Sequence, residues 1–355
     1  MELTILSYNI WSTEFIYKSL NKDRECDICD DAYDVCEYLV KRCEPASVNT
    51  SCKCQTETKQ ARNKRYEKII DVITHNNIDI CLLQEVEPHF IKLLKKKAPE
   101  YSFVVADTCI TKYYKDYWDN LEGKGTTTAV VWNNSNLKIN NKYLICSDDK
   151  HKYGGKSAVI VELTNVNSNI KMIICSFHLP GQNTGDENIR ALRLLNDINN
   201  KINDILIAGT VSKAYSCAIM GGDANMNEFE YYLKQLSQEL PLWKIFGRGN
   251  TTPTVCDFDY KEDSQDISRT KIDWIAGKSI DTDINEISYF VPTSICDKYT
   301  ETKEMYLDFQ DDLLNEPSDH LPVLLEISIL PKSPKSKKKT KRKRKKRKTK
   351  RKKIV

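Results

Sequence analysis

SCAIMGGDAN, residues 216–225, is a short apolar run that ends in two glycines, a carboxylate and an amide. Ser216–Met220 reads as a buried strand, because a brief apolar run bounded by glycine is what a strand covered on both faces looks like. Gly221 and Gly222 close this strand and let backbone and ligand approach closely, with a turn following them. Asp223 and Asn225 then stand just past a strand end, where an open α/β sheet presents its reactive groups.

Working outward, the same arrangement recurs. Asn9 lies near the end of the β-rich run Leu3–Ile10, Gln84 and Glu85 follow the strand Ile78–Leu83, and His178 follows the strand Lys171–Phe177. Tyr101–Ala106, Thr127–Trp132, Ala158–Leu163, Lys271–Ala276 and Leu321–Ile329 read as further strands. Arg62–Asn76 puts Tyr66, Ile69, Ile70 and Ile73 on one helical face, His89–Lys97 is a short helix with a basic face, and Arg190–Asn203 is amphipathic. Strands with interspersed helices predict an α/β fold of two packed sheets covered by helices.

Composition divides the chain. The 355 residues are 40 % hydrophobic, enough for a large core, and the two-sheet pattern runs from 1 to 330 as one catalytic domain. Within it a polar, cysteine-bearing insertion spans about 18–60. Residues 331–355 lose all apolar periodicity and form a basic tail expected to be disordered. The net charge is +4, yet 332–353 carries 17 Lys or Arg and no acid, so the rest carries −13. An acidic body suits a site that gathers cations through carboxylates and is unlike a broad DNA-binding face. The first residues lack the basic and apolar regions of a secretory signal, and no run of about 18 apolar residues predicts a membrane span. These features point to an intracellular monomer whose 13 cysteines stay mostly as thiols. The tail adds a nuclear or nucleic-acid-associated address, the cytoplasm or the virion of a large DNA virus being the alternative.

Hydrolysis of a phosphate ester needs a cation against the phosphoryl oxygens, an oriented water and donors for developing charge. Magnesium takes oxygen ligands, keeps several waters and needs only one or two carboxylates, so Glu85 can anchor it. Asp223 can take the proton of the attacking water, and Asn225 can hold that water or a phosphate oxygen. His178 and His320 donate to the phosphate when protonated, with Asp319 or Asp273 fixing an imidazole tautomer. Each signal also has a structural reading. Gly-Asp-x-Asn is commonly a turn, and Ser318-Asp319-His320 resembles a helix N-cap. The ordered set carries the chemistry.

That set, Ser-Tyr-Asn9, Leu-Gln84-Glu85-Val, Phe-His178-Leu, Gly-Gly-Asp223-Ala-Asn225, Ile-Asp273-Trp-Ile and Ser-Asp319-His320-Leu-Pro-Val, resembles the endonuclease/exonuclease/phosphatase superfamily over nearly all of 1–330. The resemblance implies a four-layer α/β sandwich, two packed, mostly antiparallel or mixed sheets flanked by helices, and a Mg²⁺ or Mn²⁺ cofactor. It implies Glu85 as metal ligand with Asn9 and Asp319 near it, and Asp223 orienting or activating the nucleophile. Asn225 and His178 would then hold the phosphate, and His320, oriented by Asp273, would stabilise the transition state. In layout the chain is most similar to the 5′-tyrosyl-DNA phosphodiesterase branch, with Gln-Glu-Val-Glu-Pro-His-Phe at 84–90. It departs from that branch at Pro180-Gly181 and at Ala224. Inositol-phosphate phosphatases, sphingomyelinases and deadenylases share the same core motifs.

Two further clusters and the tail extend the expectations. Cys26 and Cys29 with Cys52 and Cys54 can close a tetrahedral Zn²⁺ site, or the insertion is simply a loop that carries thiols, among them Cys36 and Cys43. Tyr113, Tyr114, Tyr117 and Trp118 can stack on bases or pack on their own loop. The tail fits nucleic acid through counterion release, with an anionic membrane surface as the alternative. The leading expectation is a Mg²⁺-dependent phosphodiesterase acting on nucleic acid or a nucleic-acid adduct. Its rivals are a phosphatase or phosphodiesterase for inositol phosphate or sphingolipid, and an inactive binding member of the fold.

Overall fold

Strand β1 (Glu2–Asn9) is buried on both sides from Ile5 onward, and its alternation shows how the layers are built. Successive strand side chains point to opposite faces. Leu3 and Ile5 enter a central core with Val159, Ile174, Ile219 and Ile275. Leu6 and Tyr8 turn the other way, into a core with Tyr66, Ile69, Ile73, Phe90 and Leu94. The structure, a computed structural model, describes residues 1–10, 59–109, 126–147, 156–181, 185–212, 215–226, 229, 233, 243–248, 250, 252–261, 264–279, 282–291, 318 and 320–331. The cysteines of the insertion, the aromatic run at 112–120, Asp319 and the basic tail lie outside them.

Two six-stranded mixed sheets stack through the central core. The first orders β13 (Thr282–Phe290), β14 (Val323–Pro331), β1, β2 (Ile80–Val86), β4 (Thr127–Asn133) and β3 (Tyr101–Val105). The second orders β5 (Leu137–Cys146), β6 (Ser157–Asn165), β7 (Lys171–His178), β8 (Cys217–Asp223), β12 (Asp273–Ser279) and β9 (Lys244–Ile245). A separate hairpin pairs β10 (Val255–Lys261) with β11 (Ser264–Thr270). Helices α1 (Lys59–His75) and α2 (Pro88–Lys97) cover the first sheet, and α3 (Gly185–Ser212) covers the second. This is the expected α/β sandwich. Among the described residues no helix is long and apolar enough to cross a membrane.

Each sheet holds one parallel pair, β1 with β2 and β7 with β8. Four strand C-termini therefore end on the same side of the sandwich, two from each sheet. Gly221 and Gly222 lie at the end of β8, as the apolar run leading to Asp223 predicts. Each makes room for neighbouring protein. A Cβ on Gly221 would stand 2.8 Å from Leu82 Cδ1, and one on Gly222 only 1.9 Å from the carbonyl oxygen of Phe177. These glycines let the sheets and strands close together below the site.

Cys109, in a short turn after β3, is disulfide-bonded to Cys146 at the end of β5. The bond joins the outer strand of one sheet to the outer strand of the other, and it corrects the expectation of thiols at these two positions. Cys81, Cys175 and Cys217 are free and buried.

Candidate active site

The face that makes the central core also makes the site. On β1, Ile5 is followed on its own face by Ser7 and Asn9. On β7, Ile174 is followed by Ser176 and His178, and on β8, Ile219 is followed by Gly221 and Asp223. The inter-sheet core is apolar along its length and turns polar at the strand ends. Asp273 starts β12 and pairs in register with Asp223, which pairs with His178.

Glu85 should break this pattern, because alternation puts it with Cys81 and Leu83 against the helices. It reaches the site through a bulge: the pairing of β2 with β4 shifts register between Leu83 and Val86, and Glu85 takes a φ of 54°. A bulge re-aims one side chain at a modest strain cost, of order 1 kcal/mol or more for a left-handed non-glycine residue.

Asn9 lies at the centre. Its Nδ2 is 3.2 Å from Glu85 Oε1, 3.1 Å from Asp223 Oδ2 and 3.3 Å from His320 Nε2. Asp223 Oδ2 is also 3.2 Å from His178 Nε2 and 3.8 Å from His320 Nε2, while its Oδ1 accepts from the Asn225 amide at 2.8 Å. Burial pushes the Asp223 carboxyl up, but His178, His320 and Lys156 outweigh it and hold the group well below the usual carboxylate range. Asp273 is fully buried, and desolvation raises its carboxyl even though His320 opposes that.

His320 is held from three sides. Asp273 Oδ2 accepts from its Nδ1 at 2.9 Å, which turns Nε2 toward Asn9 and Asp223. Its backbone N–H donates to Ser318 Oγ, and that hydroxyl donates to the Asn9 carbonyl at 2.6 Å. Thr254 Oγ1 accepts from the amides of Ile272 and Asp273. Ser318 therefore makes a local turn leading into β14 rather than capping a helix. Asn225 Nδ2 donates to the Leu179 carbonyl at 2.8 Å, bracing the ends of β7 and β8.

The structure thus gathers Asn9, Glu85, His178, Asp223, Asn225, Asp273 and His320, all expected from sequence. It adds Lys156, whose Nζ meets His178 Nε2, and the supports Ser318 and Thr254. A lysine ahead of a strand and a threonine ahead of a hairpin carry no sequence signal. Among the described residues no three His, Cys, Asp or Glu side chains form a ready metal cage. The donors nevertheless fit a hard cation. Two nearly buried carboxylates crowd one neutral amide nitrogen that cannot donate well to three acceptors, and magnesium needs just one or two carboxylates beside its waters.

The sequence matches no protein-family model and no curated protein. Among solved structures, the chain is similar to an endonuclease/exonuclease/phosphatase family protein from Bacteroides thetaiotaomicron (TM-score 0.57, 15 % identity, covering 94 % of this chain and 99 % of that one). It is also similar to D. rerio TDP2 complexed with single-strand DNA product (TM-score 0.55, 14 %, 92 % and 99 %). The human Nocturnin catalytic domain with bound sulfate is a third such structure (TM-score 0.55, 16 %, 92 % and 94 %). The fold is that of the endonuclease/exonuclease/phosphatase proteins.

Proposed function

We propose that this chain is a divalent-metal-dependent phosphodiesterase acting on nucleic acid or a nucleic-acid adduct. The observation that carries the reading is the single network Glu85–Asn9–Asp223–His178 with Asp273–His320, at the polar end of the inter-sheet core. TDP2 from D. rerio, of the same fold, is seen with single-strand DNA product, which supports the substrate class.

Glu85 and Asn9, with Asp319 next to His320 in the chain, would hold Mg²⁺ or Mn²⁺. The cation supplies charge neutralisation at the phosphoryl oxygens. Asp223 accepts a hydrogen bond from the attacking water and orients it. A carboxylate held this low keeps little affinity for a proton, so orientation and counter-charge are its main contributions. Asp273 accepts from His320 Nδ1 and so stabilises the ring once Nε2 takes up a proton, and the Nε2–H would then donate to a phosphate oxygen as charge builds. Lys156 supplies positive charge on the other side of Asp223, where its Nζ meets His178 Nε2. Asn225 keeps the end of β8 in place. The basic tail would tether the enzyme to polyanions by counterion release.

The test is hydrolysis by the full-length protein of DNA, RNA, a 5′-tyrosyl oligonucleotide, inositol phosphate and sphingomyelin, with and without EDTA. We expect EDTA-sensitive cleavage of a nucleic-acid substrate, reduced at least about 100-fold by Glu85→Ala or His320→Ala. Deleting 332–355 should weaken binding to oligonucleotides and flatten its salt dependence while sparing a small phosphodiester. Cleavage only of inositol phosphate or sphingomyelin would overturn the substrate class, and no cleavage of any would overturn the enzyme.

A further inference from the structure

Behind the site, α1 buries groups that a core does not need. Arg65 and Tyr66 are 6 % and 0 % exposed, and Glu87 is 4 % exposed. Arg65 Nη1 donates to the carbonyl of Ile10, the residue after Asn9, at 2.8 Å. The Tyr66 hydroxyl donates to Glu87 Oε2, two residues beyond Glu85. The guanidinium lies 4.6 Å from the Tyr66 ring centroid, and Phe90 meets that ring edge-on at 5.4 Å. Ile10 N–H also donates to the Gln84 carbonyl at 3.1 Å, so the two strand ends are tied to each other as well as to α1.

Stability alone does not call for these groups. A buried charge loses several kcal/mol of hydration, of order what its partners return, and apolar side chains of similar volume commonly do as well. Ile69, Ile70 and Ile73 of the same helix fill the layer in that apolar way. An apolar residue cannot fix where two strand ends stop. That placement matters because Glu85 points into the site only through a left-handed residue in a bulge, a conformation that persists only where its surroundings hold it. Glu87 occupies the N-cap position of α2, yet its side chain makes no capping bond and is turned back to Tyr66.

We infer that Arg65, Tyr66 and Glu87 form a positioning clamp. Two consecutive residues of one helix set the ends of β1 and β2, and through them fix Asn9 and Glu85 and the affinity of the site for its divalent cation. The cation part of the inference rests on the function proposed above, while the clamp itself concerns the two strand ends.

The experiment uses full-length protein with Tyr66→Phe, which removes one oxygen, and the pair Tyr66→Phe with Glu87→Met, which removes both partners. Three readouts are taken: Mn²⁺ binding followed by electron paramagnetic resonance, hydrogen exchange along the chain, and the melting temperature. Outer partners of metal ligands are typically worth about 10–100-fold in affinity. Tyr66→Phe should weaken Mn²⁺ binding about tenfold and speed exchange around residues 5–10 and 83–88, leaving β6 and β7 protected. Replacing both partners restores much of the melting temperature, since the buried carboxylate goes together with the hydroxyl that donated to it, but leaves Mn²⁺ binding weak. The clamp is refuted if Tyr66→Phe leaves exchange at both strand ends as in wild type, or if Mn²⁺ affinity returns with the melting temperature in the double variant. If the wild-type protein binds no Mn²⁺, the metal reading fails, and exchange at the strand ends alone then decides the clamp.

Discussion

Gly222 and Glu85 are the two residues whose backbone the site depends on most directly. Gly222 has no room for a Cβ, since the obstacle is the Phe177 carbonyl rather than a movable side chain. Gly222→Ala should therefore cost about 3 kcal/mol, at the upper end for overpacking, because β7 and β8 must part to admit it. Urea unfolding measures this, and a variant within about 0.5 kcal/mol of wild type would show that the strands yield freely. Glu85 was legible as a chemical candidate from Leu-Gln-Glu at a strand end, but its route to the site was not. Strand periodicity alone sends it to the helices, and only the shift in pairing with β4 turns it inward. Asp223 was equally legible, whereas its depressed carboxyl follows from His178 and His320, which arrive from distant parts of the chain.

Among the elements, the strands read correctly from sequence were those buried on both faces, such as β2, β7 and β8. Their apolar runs are continuous because both faces pack. The strands missed were β5 and β13, which sit at sheet edges and are largely exposed, the two-residue edge strand β9, and the polar hairpin of β10 and β11. An edge strand with a wet face has no apolar run to announce it. The Cys109–Cys146 bond secures one such edge, closing a loop of sequence separation 37 between the two sheets. On chain-entropy grounds a loop of that size is worth about 3–4 kcal/mol. The double variant Cys109→Ser, Cys146→Ser should melt several degrees below wild type in oxidising buffer, and the gap should close under reductant. Equal melting temperatures in oxidising buffer would mean that the bond contributes nothing in solution.

For the molecule as a whole, the buried titrating groups set a direction for stability against pH. Burial pushes the Cys217 thiol up to about 12, and the thiols of Cys81 and Cys175 and the hydroxyls of Tyr101 and Tyr215 are raised too, desolvation being the main cause. Unfolded thiols ionise from about pH 8.5, while these remain protonated in the native protein. Above that pH the unfolded state binds fewer protons, so stability is lost progressively as pH rises. Denaturant midpoints measured between about pH 7 and pH 10 should fall, with the native thiols unreactive to alkylation throughout. A midpoint that is flat across this range would contradict the burial of these groups.

The sequence by itself determined the class of fold and named candidate residues for the site, because reactive side chains follow buried strands and a buried strand writes its burial into a short apolar run. Asn9, Glu85, His178 and Asp223 could be named that way, whereas Asp273 starts its strand, His320 stands ahead of its own, and both entered through the motifs around them. Tertiary structure alone decided which of them touch, since Asn9 and His320 are 311 residues apart and meet only when β1 and β14 pair. It also showed that Asp273 holds His320 Nδ1, and that Lys156 faces His178. The two glycines expected to let a ligand approach proved to be the place where sheets and strands close together. Contact between distant strand ends depends on register, bulges and sheet order, which local residue patterns do not encode.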